Sequence, residues 1–129
     1  MEYGADINIE NLYGETAIFK TCKSGNKDLV EYLVKCGADI NIENLYGETA
    51  IFKTCKSGNK DLVEYLVEHG ADINKEEKWY GETPLFYACK SGNKDLVEYL
   101  VEHGEDINKE DENGLIPLFY ACNNGNINK

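Results

Sequence analysis

Apolar residues in this chain come in short groups with helical spacing, separated by polar stretches that glycine punctuates. In Thr16-Ala17-Ile18-Phe19-Lys20-Thr21-Cys22, Ile18 and Cys22 stand four apart and share one helical face. After Gly25, Leu29 and Leu33 with Val30 and Val34 form a broad apolar stripe on a second segment. Asn26 stands where an N-cap belongs, and Asp28 suits the positive end of the helix dipole. The pattern predicts a helix, a tight turn, a second helix and then an extended polar loop.

The pattern repeats. Residues 4–34 recur letter for letter at 37–67, and Gly-Ala-Asp-Ile-Asn returns at 70–74, with a Gly-Glu-Asp-Ile-Asn variant at 104–108. The spacings are 33, 33 and 34 residues. All 12 glycines fall at three positions of this unit, where turns between short elements call for positive φ. Helices of roughly 8 to 10 residues are marginal alone in water and must be buried against neighbours. Repetition supplies those neighbours, so the expected architecture is a one-dimensional, all-α solenoid of stacked helix pairs. No Pro/Gly/Ser-rich linker interrupts the period, which favours one domain over residues 1–129. Its units run approximately over 4–36, 37–69, 70–103 and 104–129, the last truncated.

In the third unit the segments Gly81-Glu82-Thr83-Pro84-Leu85-Phe86-Tyr87-Ala88-Cys89, Ser91-Gly92-Asn93 and Leu96-Val97-Glu98-Tyr99-Leu100-Val101 are followed by Gly104, Asp106, Ile107 and Asn108. This succession resembles the ankyrin repeat: a Thr-Pro-Leu-His motif, a glycine turn, a second helix and a Gly-Ala-Asp-Val-Asn hairpin. The resemblance covers essentially the whole chain. It implies an ankyrin-repeat solenoid of helix-turn-helix units joined by hairpin-like loops. Loop asparagines such as Asn41, Asn74 and Asn108 also resemble the sites of asparagine hydroxylation in animal ankyrin proteins.

Several positions depart from the family pattern. Phe19, Phe52, Phe86 and Phe119 replace the usual His, so its hydrogen bond to the capping Thr is lost. Pro opens the inner helix only at Pro84 and Pro117, with Ala17 and Ala50 in the earlier units, so the first two inner helices are expected to fray more readily. Ile116 replaces the capping Thr of the last unit and is expected to weaken that cap by about 0.5 to 2 kcal/mol. A Leu-Val-Glu-Tyr-Leu-Val segment is missing after Asn123, so the expectation there is either an apolar flank open to end-to-end self-association or a polar cap formed by the asparagine-rich tail.

Composition narrows the partners. A net charge of −11 argues against nucleic acid, and all 13 basic residues are Lys, so no guanidinium fork is present for phosphate. The overall field favours a basic or neutral protein partner. Cys22, Cys55, Cys89 and Cys122 occupy one position of successive units. Neighbouring helices sit about 8 to 10 Å apart, beyond the roughly 7 Å limit between Cα atoms of a disulfide. These cysteines are expected to be buried and reduced, which fits an intracellular, cytoplasmic setting.

Other chemistry finds no support. His69 and His103 are one repeat apart, too far to share a zinc ion. An EF-hand with Gly114 at its sixth position would begin with Lys109 and end with Tyr120, neither of them a carboxylate. Ser24, Ser57 and Ser91 are one turn position repeated, so none stands out as a nucleophile. No phosphate-cradling loop, signal peptide or apolar run of 18 residues is present, so neither an enzyme nor a membrane span is expected, and no cofactor or metal is implied.

The resemblance implies where recognition occurs, since ankyrin proteins use hairpin tips and exposed inner-helix positions on a concave face. By position these are Leu12, Tyr13, Glu15, Lys23 and Ser24; Leu45, Tyr46, Glu48, Lys56 and Ser57; Trp79, Tyr80, Glu82, Lys90 and Ser91; and Glu112, Asn113, Leu115, Asn123 and Asn124. The third loop is one residue longer and holds the single Trp, which makes Trp79 the leading anchor. The alternative is a structural or engineered array segment that contacts mainly itself, because two identical units present identical surfaces.

Overall fold

The computed structural model describes residues 6–122. Among them are seven helices and no strand: α1 (Ala17–Ser24), α2 (Lys27–Lys35), α3 (Ala50–Ser57), α4 (Lys60–Glu68), α5 (Pro84–Ser91), α6 (Lys94–Glu102) and α7 (Pro117–Cys122). The odd-numbered helices pack on one another in chain order, and each of the first three also packs on the even-numbered helix that follows it. An inner layer and an outer layer result, as the paired apolar stripes require. The expected all-α solenoid is present.

Local chemistry sets the helix limits. Asn26, Asn59 and Asn93 each accept the N–H three residues on, at 3.1 Å, and so satisfy one orphan donor at the start of α2, α4 and α6. Asp28, Asp61 and Asp95 follow in the first turns. At the end of the first inner helix, Gly25 turns left-handed at φ +79°, and its N–H caps the Thr21 and Cys22 carbonyls. A Cβ there would also meet Asn59 Nδ2 at 3.1 Å.

Phe19, Phe52 and Phe86 are buried between inner helices, with Ile18, Ile51 and Leu85 beside them. Cys22, Cys55 and Cys89 are buried free thiols, and burial pushes the Cys22 thiol up to about 11. The side chain of Cys122 lies outside the described residues. Val30 is buried while its neighbour Leu29 is 43% exposed; the equivalent Leu62 and Leu96 are fully buried. Leu29 therefore faces the side turned away from the second unit, where a preceding unit would stack, and the stripe read from sequence is two stripes aimed at different neighbours.

Phe in place of the family His has the anticipated effect. Thr16, Thr49 and Thr83 precede the inner helices but make no cap hydrogen bond, and their buried Oγ1 atoms have no partner. This corrects the expectation for Ile116. Since the threonines contribute no cap bond, replacing one by Ile removes none. α1, α3 and α5 all span eight residues, whether Ala or Pro opens them.

Candidate functional site

Each hairpin is closed by one backbone pattern. Asn11, Asn44, Glu77 and Asp111 donate their N–H to the carbonyls of Glu15, Glu48, Glu82 and Leu115 at 2.9 Å. The side chain at the same position folds back to accept two more amides: Asn44 Oδ1 takes the Tyr46 and Glu48 N–H groups at 3.0 and 2.9 Å. The third hairpin spans one more residue, and the longer Glu77 replaces Asn to reach the Tyr80 and Glu82 amides at 2.7 and 3.1 Å.

Successive hairpins are stitched together at their tips. Leu45, Lys78 and Glu112 donate backbone N–H to the Tyr13, Tyr46 and Tyr80 carbonyls at 2.9, 2.7 and 2.8 Å. Lys78, not Trp79, thus takes the register of Leu45, and Trp79 is the added residue. This corrects the positional equivalence drawn from sequence. Trp79 lies edge-on to Tyr46 at 5.6 Å and tilted to Tyr80 at 6.2 Å, yet stays 57% exposed. With Leu12, Tyr13, Leu45 and Tyr80, all exposed, it forms a row of large side chains along the hairpin edge.

Below that edge runs a polar spine that joins the units. Asn44 Nδ2 donates to Glu15 at 2.8 Å and to Glu48 at 2.9 Å, while Lys53 approaches the same two carboxylates at 3.3 and 3.5 Å. The Tyr87 hydroxyl donates to Glu48 at 2.7 Å and to Glu77 at 3.3 Å. Burial alone would raise the Glu48 carboxyl, but the bonds from Asn44, Tyr87 and Lys53 outweigh it and leave it lowered. Burial, then the Glu48 carboxylate, push the Tyr87 hydroxyl well up, so it stays a neutral donor. In the next joint Tyr120 donates to Asp111. Lys90 pairs with Glu82 at 2.6 Å and lies 4.6 Å from the centroid of the Tyr120 ring.

Of the residues implied by the resemblance, Glu48, Lys56, Tyr80, Glu82, Lys90 and Ser91 come together with Tyr87 around a depression of about 440 Å³. A shallower one of about 290 Å³ adds Tyr46 and Trp79. Leu12, Tyr13, Glu15 and Lys23 lie one repeat away, and Leu115 with the exposed Glu112 and Asn113 one repeat beyond. Asn123 and Asn124 lie outside the described residues. Glu82 is only 1% exposed, so its carboxylate serves Lys90 rather than an outside ligand. Sequence reasoning missed Lys53, Glu77 and Tyr87; the change from Lys20 and Lys53 to Tyr87 and Tyr120 at one repeat position was the available signal.

Among the described residues no three His, Cys, Asp or Glu side chains gather as a metal site. No described helix is long and apolar enough to cross a membrane. The profile of ankyrin repeats, in three copies, matches residues 1–77 and 74–129. The chain belongs to the ankyrin repeat family. Ankyrin repeats generally serve as protein–protein interaction modules. A search of the curated proteins finds no match.

Proposed function

We propose that this ankyrin protein binds a protein partner along the hairpin edge and the adjoining inner-helix surface, its concave face. The observation that carries this reading is the exposed row of Leu12, Tyr13, Leu45, Trp79 and Tyr80, held on hairpins that are hydrogen-bonded to one another. Rigidly presented aromatics lose little entropy on binding and dominate interface energetics. Tyr46 contributes as the neighbouring ring that orients Trp79. The module supplies recognition rather than chemistry.

Affinity capture with wild-type protein and a Leu45→Ser, Trp79→Ala variant tests the reading. The variant should lose the partners that the wild type retains, with unchanged circular dichroism. Identical partner sets for the two proteins would sink it.

End-to-end self-association is a second reading, supported by one feature. An apolar depression of about 370 Å³ lies among Leu85, Val97, Val101, Ile107, Pro117 and Leu118. Sedimentation across a concentration series separates the two readings, since a monomer at all concentrations removes the second.

A further inference from the structure

The acid excess of this chain is not spread evenly. The inner helices α1, α3, α5 and α7 carry Lys20, Lys23, Lys53, Lys56 and Lys90 and no carboxylate. The remaining hairpin and outer-helix residues therefore carry more negative charge than the net −11.

The buried and half-buried carboxylates on this face are also already engaged, and the exposed Glu112 lies on the fourth hairpin, beyond Lys23 and Lys56. Glu15 and Glu48 are held by Asn44 and Lys53, Glu48 further by Tyr87, and Glu82 by Lys90. Glu77 and Asp111, at the hairpin bases, are buried and accept from Tyr87 and Tyr120. Lys23 and Lys56, by contrast, are exposed, with no described carboxylate within 4.0 Å. Lys56 lines both depressions beside Tyr80 and Tyr87. The Tyr87 hydroxyl beside it is neutral and adds no competing negative charge.

We infer that the partner segment is an extended acidic peptide whose carboxylates pair with Lys23 and Lys56, the opposite of what the net charge implies. The inference rests on the binding face proposed above and adds the partner's chemistry to it. The two ammonium groups stand on equivalent positions of adjacent inner helices, which pack about 8 to 10 Å apart. Three residues of an extended polyproline II chain make one turn and rise about 9 Å, which brings the side chain back to the same face. Asp or Glu at every third position therefore matches the repeat, with an apolar residue set against the Trp79 edge. The flanking acidic hairpins repel an acidic peptide everywhere else, so like-charge exclusion confines it to the inner face.

The test uses the whole chain and three labelled peptides, with Glu, Gln or Lys at every third position of an otherwise common sequence. Binding is followed by anisotropy and by the emission of Trp79, the single tryptophan. The Glu peptide should bind at least about tenfold tighter than the Gln form and more weakly in salt. A Lys23→Glu, Lys56→Glu variant should lose the Glu peptide while keeping its circular dichroism.

Equal or tighter binding of the Lys peptide overturns the inference, as does Glu-peptide binding that survives charge reversal, or no Glu-peptide binding at millimolar concentration. If the Lys peptide wins and its binding is lost in Trp79→Ala, the charge assignment fails while the binding face stands. If neither substitution affects any bound peptide, both fail.

Discussion

The threonine hydroxyls ahead of the inner helices reverse the ordinary value of that residue. Thr49 Oγ1 is buried and has no partner, because Phe52 stands where the family's His would accept or donate. An orphaned buried hydroxyl costs free energy that an apolar isostere avoids. Thr49→Val should therefore leave stability unchanged or raise it by up to about 1 kcal/mol, where a working cap would lose 0.5 to 2. Urea denaturation measures this, and a loss above about 1 kcal/mol would reveal a bond at Thr49. The loss of the His–Thr bond was legible from the letters alone. What the letters did not give was the consequence for Ile116, because a cap's worth depends on whether its oxygen reaches an amide. The register of Trp79 was hidden for a similar reason: only the Lys78 to Tyr46 backbone bond distinguishes an added residue from a substituted one.

At the scale of elements, the joint between the third and fourth units differs from the other two. Asn8 and Asn41 each bridge to the next hairpin, donating to the Gly37 and Gly70 carbonyls at 3.2 and 2.9 Å and accepting the Asp39 and Asp72 amides at 2.9 and 3.0 Å. At the third joint Glu105 stands in place of Ala38 and Ala71, only 4% exposed, and its Oε1 accepts the Leu85 N–H near the start of α5 at 3.0 Å. Its Oε2 has no hydrogen-bond partner. Burial, which the Leu85 amide offsets only in part, raises the carboxyl to about 7, with Asp72 and Asp106 adding to the rise. The unfolded chain releases this proton near the ordinary 4.5, whereas the folded chain holds it to about 7.

Stability should therefore fall as pH rises between those values and level off above them, by about 3 to 3.5 kcal/mol in all. Glu105→Ala should be more stable than wild type at pH 8 and lack this slope, as thermal melts at pH 5 and pH 8 can show. An unchanged slope in the variant would remove Glu105 as its cause. In sequence Glu105 reads as one more acidic loop residue, since burial between units is set by the stacking and not by local pattern.

Across the whole molecule, position in the stack decides what a side chain contributes. Residues 4–34 and 37–67 are identical, so no sequence rule can separate Leu29 from Leu62. The stack does, since Leu62 lies wholly inside it while Leu29 faces outward. Leu62→Ala should cost about 2 to 5 kcal/mol and Leu29→Ala about 1 or less, a contrast that paired denaturation curves resolve. Comparable losses would mean that the first unit is covered as fully as the second. The period, the helix limits and the cysteine row were legible in the sequence because each is written locally. The polar spine was not, since Glu15, Asn44, Lys53 and Tyr87 come from three units and meet only when these are stacked in space.

The third hairpin carries one further lesson. An extra residue inside a β-strand turns every following side chain to the opposite face. At this tip the addition of Trp79 is absorbed by lengthening one anchor from Asn to Glu, and the backbone bonds on both sides, Lys78 to Tyr46 and Glu112 to Tyr80, persist. The edge of the solenoid can thus gain or shed a large side chain without retuning the helices beneath it. New specificities can accumulate there one codon at a time while the core stays as it is.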